Sequence, residues 1–271
     1  MLTRVKTKYA RLKQLIKQLG SVVIAFSAGV DSTLLLKVAH DVLGDKAVAI
    51  TAVSPTYPAN ELEEAKQLAS QIGARFMLVK TNEFKDENFL SNTPDRCFFC
   101  KTELFSLLKH KADKLHIKHV AYGANADDLK DFRPGMKAAR QAHAIAPLLE
   151  ANLTKDEIRE ISRELGLKTW NKPSYACLAS RIPYGTRITT GALNRIEEGE
   201  NALRALGLKQ LRLRYHNETA RIEVPPEDFT IILKDGIRAK IVEQLKTLGF
   251  RYITIDLEGY RTGSMNPEKK A

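Results

Sequence analysis

Two turns in the sequence have the residue types of a polyphosphate site. Ser27-Ala28-Gly29-Val30-Asp31-Ser32 follows the apolar run Ser21 to Phe26 and opens a stretch of helical periodicity. Small residues let a backbone approach an anion closely. A helix start adds N–H groups and partial positive charge, and Ser27 and Ser32 add hydroxyl donors. The turn is not a G-x4-G-K-S/T loop, because it has no lysine. A plain strand–helix turn with Asp31 or Ser32 as N-cap is the structural alternative. The second turn is Gly123-Ala124-Asn125-Ala126-Asp127-Asp128. Paired aspartates at a strand end can hold Mg²⁺ on a polyphosphate, and a solvated Asx-rich turn is the alternative. Asp131 and Arg133-Pro134-Gly135 extend this segment, and the Arg133 guanidinium suits a phosphate or a carboxylate.

The cysteines are three: Cys97 and Cys100 in a CxxC followed by Lys101, and Cys177 in the loop PSYACLASR. An odd, small number argues against a disulfide framework. A helix start and a neighbouring cation favour thiolate at the CxxC. Zinc would want a fourth ligand, and no His stands at finger spacing. A redox pair, unrelated buried thiols and a sulfur-handling site are the other readings. Three thiolates on a [4Fe–4S] cluster would leave one iron open to sulfide.

Elements must bring these turns together. Apolar runs at 21–26, 47–53, 75–79 and 119–122 alternate with helical patterns at 31–43, 59–72 and 99–115. This order predicts an α/β fold, a parallel sheet with helices on both faces. Ligands bind such sheets beyond the carboxyl ends of the strands, where both turns fall. The two turns meet if the first and fourth strands are neighbours. Thr154 to Leu165 is a further helix, opened by the capping box Thr154/Glu157. After a loop-rich stretch the pattern changes to a helix (191–206), strands at 210–215 and 220–224, a helical region (226–248) and a last strand (252–257). That order predicts a smaller α+β domain over 186–271, after a first domain over 1–185. Alternation puts Arg212 and Arg214 on one strand face, where two guanidinium groups suit a phosphate, with Arg261 as a third. A solvated basic face is the alternative. Glu200, on the preceding helix, could orient an arginine or serve as a base, with an exposed helical Glu as the default expectation.

Lys and Arg total 43 against 32 Asp and Glu, a net charge of +11, which favours anionic partners such as nucleotides or RNA. No apolar run reaches the roughly 20 residues of a membrane span. The first 18 residues hold six cations and no acid, with Leu2, Val5, Tyr9, Leu12, Ile16 and Leu19 at helical spacing. We read them as an amphipathic docking helix rather than a transit peptide.

SAGVDS resembles the PP-loop, S-G-G-x-D-S, of the ATP pyrophosphatase superfamily, with Ala28 where the first glycine is usual. Members cleave ATP between the α and β phosphates and adenylate a substrate oxygen. The resemblance implies that Ser27, Gly29, Asp31 and Ser32 hold the leaving pyrophosphate, with Gly123, Asn125 and Asp127 sharing the ATP site and Asp128 on Mg²⁺. RCFFCKTELF, GANADD with DFRPG, PSYACLASRIPYG and GYRTGSMN together resemble the LarE family over nearly the whole chain. Those sulfur transferases build the nickel-pincer nucleotide cofactor. They adenylate a carboxylate of a pyridinium biscarboxylic acid mononucleotide and convert it to a thiocarboxylate. One branch sacrifices a cysteine at the position of Cys177 and is left with dehydroalanine. Another carries three cysteines and resembles cluster-dependent transfer, and Cys97 and Cys100 place this chain with it. The resemblance also implies phosphate binding by Arg212, Arg214 and Arg261, and catalytic roles for Asp31, Lys101 and Cys177. It further implies sulfide or another sulfur donor, a cytoplasmic setting and a homo-oligomer. A tRNA thiolase and a non-catalytic nucleotide-binding protein are the rival functions.

Overall fold

The computed structural model describes residues 2–130, 133–173, 176–261 and 264–265. Asp131 lies outside the described residues, as do Ser174 and Tyr175 of the Cys177 loop and Thr262, Gly263 and Asn266 of the C-terminal motif. The chain divides into two compact units, Met1–Asp86 with Cys97–Tyr175, and Glu87–Arg96 with Ala176–Ala271.

The first unit is built on β1 (Val22–Ala25), β2 (Ala47–Val53), β3 (Arg75–Lys80) and β4 (His119–Tyr122). Their order is β3-β2-β1-β4 and every pairing is parallel. Its main helices are α1 (Thr3–Leu19), α2 (Val30–Leu43), α3 (Ala59–Ile72), α4 (Arg96–Lys114), α5 (Pro134–Gln141) and α6 (Lys155–Glu164). The period of two sends neighbouring strand residues to opposite faces. Val22, Ile24, Ala47 and Ala49 pack with Leu34, Leu35, Val38 and Ile158 on one side. Val23, Val48, Ile50 and Val120 pack with Leu104, Phe105 and Leu108 on the other. Because both faces are covered, β1 is apolar throughout, as a central parallel strand must be.

Val5, Leu12 and Ile16 of α1 are buried in the first of these cores, so the basic N-terminal stretch is a docked helix. Leu2 does not join its stripe: it precedes the helix and is 73% exposed. The capping box of α6 is present, with Thr154 N–H donating to Glu157 and Glu157 N–H to Thr154 Oγ1. Glu157 also accepts from Lys8 at 2.7 and 2.8 Å and pairs with Arg4, so it fastens α1 to α6. Burial pushes its carboxyl up, but Lys8, the Thr154 N–H and Arg4 outweigh that and hold it below its ordinary value.

The second unit has α7 (Thr190–Ala205), β5 (Arg212–His216), β6 (Thr219–Glu223), α8 (Asp235–Thr247) and β7 (Tyr252–Ile255). The sheet order is β5-β6-β7, antiparallel then parallel. Gly199 permits close packing of α7 on β5: a Cβ there would fall 2.3 Å from Leu213 Cδ2. The helical pattern over 226–248 is broken into a turn at Pro226–Asp228, a short helix at Phe229–Ile232 and α8. The final strand stops at Ile255, and Leu257 is 85% exposed. Among the described residues no helix is long and apolar enough to cross a membrane.

Candidate active site

The SAGVDS turn leaves β1 at the carboxyl edge of the first sheet. Its backbone is anchored on β2, with Phe26 N–H on Ile50 O and Thr51 Oγ1 on Phe26 O. Ala28 takes φ +56°, in the left-handed region where glycine is at ease, which explains the glycine usual at that position. Gly29 precedes α2 in extended conformation, and no side chain caps the helix. The first N–H groups of α2 thus keep the donor character an anion uses. Ser27 and Ser32 share a hydroxyl–hydroxyl hydrogen bond of 3.1 Å, and Ser32 Oγ donates to Gly29 O. Asp31 and Ser32 therefore do not act as the N-cap.

The second turn does lie beside the first, because β1 and β4 pair directly, Ala25 opposite Tyr122. Gly123 is needed at the contact: a Cβ there would stand 2.9 Å from the Ser32 nitrogen and 3.2 Å from Asp31 Cβ. Asn125 Nδ2 donates to Asp31 Oδ1 at 3.0 Å, and Asn125 Oδ1 accepts from Asp127 N–H. Ser27, Gly29, Asp31, Ser32, Gly123, Asn125 and Asp127 thus form one continuous network. Asp128 Oδ2 accepts from Asn125 N–H, and Arg133 pairs with Asp128 Oδ1 at 2.9 Å. Arg133 also borders a cavity of about 260 Å³ lined by Asp128, Leu129, Met136, Lys137 and Arg140. The stem of Lys101 crosses Gly135, where a Cβ would fall 2.9 Å from Lys101 Cγ. So Lys101 and the Arg133-Pro134-Gly135 segment meet at the starts of α4 and α5.

For Mg²⁺ the donor set fits. Asp31 and Asp127 offer hard carboxylate oxygens on the two neighbouring turns, and Mg²⁺ usually takes one or two carboxylates with the substrate's phosphates supplying the rest. Among the described residues no group of three or more His, Cys, Asp or Glu side chains is gathered to hold a metal ion.

Three contributors escaped the sequence analysis. Lys155, first residue of α6, pairs through Nζ with Asp31 Oδ2, and its N–H donates to Asp127 at 2.8 Å. Lys172 donates to Ala28 O at 3.3 Å and to Glu61 and Glu64 at 2.8 and 2.7 Å. Tyr57 donates its hydroxyl to Ser27 O. Burial and then the Glu61 and Glu64 charges push the Tyr57 phenol well above its ordinary range. The available signals were a capping box opening on a lysine and a lysine before Pro173, both too common to single out.

Cys97 and Cys100 lie at the start of α4, about one helical turn apart and half-buried. The helix starts three residues earlier than its apolar pattern predicts, so the CxxC is inside it. Phe98 and Phe99 meet edge to face at 5.5 Å, and Lys137 Nζ lies 5.3 Å from the Phe98 ring. Positions three apart share a helix face, so two thiols of the expected cluster stand together. The three cysteines form no disulfide.

In the second unit Cys177 is exposed and precedes a short turn, Leu178–Arg181. Arg181 is fully buried and holds that turn. Its Nη1 donates to the carbonyls of Ala176 and Cys177, and its Nε and Nη2 grip Glu200 at 2.8 and 3.0 Å. Glu200, expected at the surface, is instead 1% exposed. It faces the loop rather than solvent because it also accepts from Arg204 and Leu213 N–H. Arg96 donates to Ala179 O, and Asn92 Nδ2 reaches the carbonyls of Ile182, Pro183 and Thr186. Arg212 and Arg214 share a strand face, as the alternation requires, but it is not a solvated one: they are 6% and 5% exposed. Arg214 binds Glu223, Ser180 O and Ser264 Oγ. The Arg212 guanidinium lies 5.2 Å from the Tyr260 ring, and Arg261 pairs with Glu258.

Burial pushes the Glu200 carboxyl up, but Arg181 above all, with Arg204 and Arg212, outweighs it and holds the group below its ordinary value. A depressed folded value means the stabilisation is complete above the ordinary carboxylate range and is lost as pH falls through the folded one. Glu200→Ala should cost about 3–5 kcal/mol by removing the carboxylate that the buried Arg181 guanidinium grips. Urea unfolding at pH 7 and at pH 4 measures this, and the difference from wild type should shrink at the lower pH.

No family model matches the chain. An uncharacterised protein of Synechocystis sp. is 45% identical over 261 residues, 96% of this chain and 97% of its own length. The pyridinium-3,5-bisthiocarboxylic acid mononucleotide synthase of Lactiplantibacillus plantarum is 39% identical over 264 residues, 96% of this chain and 94% of that one. A tRNA-specific 2-thiouridylase MnmA of Desulforamulus reducens is 27% identical over 194 residues, 56% of this chain and 52% of the thiouridylase. With near end-to-end similarity to the synthase and a PP-loop sheet edge in place, this chain belongs to the LarE family of ATP-using sulfur transferases.

Proposed function

We propose that the protein adenylates a carboxylate of pyridinium-3,5-biscarboxylic acid mononucleotide and replaces the activated oxygen by sulfur, for nickel-pincer cofactor synthesis. The observation that carries this is the Asp31–Asn125 junction of the two turns at the sheet's carboxyl edge, together with the activity named for the Lactiplantibacillus relative. A substrate carboxylate oxygen attacks the α-phosphorus of ATP, and pyrophosphate leaves. A sulfur nucleophile then attacks the carboxyl carbon, and AMP leaves with the oxygen, giving the thiocarboxylate.

Ser27, Gly29, Ser32 and the α2 start hold the leaving pyrophosphate. Asp31 and Asp127, with Asp128 beside them, would hold Mg²⁺, whose charge offsets that of the phosphates. Lys101 neutralises charge building on the departing oxygen, and Arg133 orients a substrate carboxylate or phosphate. Arg212, Arg214 and Arg261 serve the mononucleotide's phosphate. Cys97, Cys100 and Cys177 would hold a [4Fe–4S] cluster, which supplies an iron that carries sulfide. In this scheme the first unit, Met1–Asp86 with Cys97–Tyr175, is the ATP domain, and the second, Glu87–Arg96 with Ala176–Ala271, is the substrate-binding and oligomerisation domain. The protein is a cytoplasmic homo-oligomer that takes sulfide or another sulfur donor and does not act on tRNA.

The test is release of pyrophosphate and AMP with ATP alone, with the mononucleotide and with tRNA, the products being weighed by mass spectrometry. Mononucleotide-dependent AMP and a thiocarboxylate product are expected, with tRNA bound weakly and released steeply by salt. Thiolated tRNA, or no nucleotide cleavage at all, overturns the proposal.

A further inference from the structure

The phosphate turn lacks the lysine of a P-loop, yet two lysines from distant parts of the first unit reach it. They differ in how they are held. Lys172 is clamped by Glu61 and Glu64, and its third contact is the Ala28 carbonyl. With its ammonium between two carboxylates and a carbonyl, it fixes the left-handed bend at Ala28 and has little charge to offer a ligand. Among the described residues Lys155 has one carboxylate on its ammonium, Asp31. That carboxylate is held from its other oxygen by Asn125.

The Lys155 backbone is fixed independently of its side chain. Its N–H is on Asp127, and the Thr154/Glu157 capping box sets the start of α6. Its ammonium can therefore move without disturbing the fold. Lys155 and Asp31 side chains are 26% and 19% exposed, so the pair borders solvent at the point where a polyphosphate would meet the α2 start. A negatively charged polyphosphate approaching Asp31 meets repulsion, which an ammonium already at that carboxylate can remove.

We propose that Lys155 is the mobile phosphate-binding cation of this site. With the site empty it neutralises Asp31. When Mg·ATP enters, its ammonium turns from Asp31 to the β and γ phosphates, leaving the carboxylate to the metal. Lys155 thus does from α6 what the P-loop lysine does from within its loop, while Lys172 only shapes the turn. This rests on the ATP site proposed above.

Calorimetric titration of the full-length protein with Mg²⁺ and an ATP analogue carrying an α,β-methylene link tests binding without turnover, and AMP is the control. Lys155→Gln should weaken the analogue about 10- to 100-fold, the worth of a charge-assisted contact, and leave AMP affinity and the melting temperature unchanged. Lys155→Arg should recover part of the loss. Equal weakening of the analogue and AMP, or no weakening, overturns the role of Lys155 while the ATP site stands. If Lys155→Gln melts early and loses both ligands, Lys155 is a structural partner of Asp31 and the proposal fails. If wild type binds AMP but gains nothing from the β and γ phosphates, the proposal fails too. If wild type binds neither ligand, both the ATP site and this inference are overturned.

Discussion

Exchanging Asp31 for Asn is expected to stop AMP formation, lowering its rate by at least about 100-fold with the fold intact. The substitution keeps side-chain volume and an oxygen that can accept from Asn125 Nδ2, so the 3.0 Å junction to the β4 turn survives. It removes the negative charge that pairs with Lys155 in the empty site and that a hard cation requires among its ligands. The cost to stability is small, because an acid in the first turn of a helix contributes about 0.3–1 kcal/mol. AMP and pyrophosphate release at saturating ATP, with circular dichroism as the check on folding, measures both halves. Undiminished adenylation by Asp31→Asn removes Asp31 from the chemistry.

Cys177→Ala should abolish thiocarboxylate formation altogether while AMP formation continues. The thiol is exposed, and its backbone is held by the Arg181 guanidinium at 3.1 Å. The change to Ala therefore removes sulfur without loosening the loop. Cys97→Ala and Cys100→Ala decide between two mechanisms. If the three thiols hold a cluster, anaerobic reconstitution gives a broad visible absorbance, sulfide supports many turnovers, and each of these variants loses both. If Cys177 is sacrificed, wild type turns over once and loses about 34 Da, the mass of H₂S. Cβ–S cleavage then leaves dehydroalanine, and the two α4 variants behave as wild type. The sacrificial outcome overturns the cluster reading.

The parallel sheet was legible because β1 is covered on both faces and so had to be apolar throughout, with β2 apolar except for Thr51, and because Gly73 and the Thr154/Glu157 box punctuate their helices. The helical pattern over 226–248 concealed a break, since Phe229, Ile231 and Ile232 continue the apolar spacing across a point where the backbone turns. Asp31 and Asn125 are both legible as candidates, but their contact depends on strand order, which period and composition do not encode.

By itself, the sequence determined the phosphate turn, the helix start that serves it, the CxxC spacing and the alternation that puts Arg212 and Arg214 on one face. These are local consequences of backbone geometry and need only a few consecutive residues. The tertiary structure decided which side chains those residues meet. Lys155 reaches Asp31 across 124 positions and Lys172 reaches Ala28 across 144. Glu200 is buried because Arg181, from another element, needs a counter-charge where burial strips it of solvation. The segment Glu87–Arg96 belongs with Ala176–Ala271 because Arg96 satisfies the Ala179 carbonyl and Asn92 that of Pro183. Such pairings follow from the need to partner every buried polar group, a requirement imposed only once the chain has folded around it.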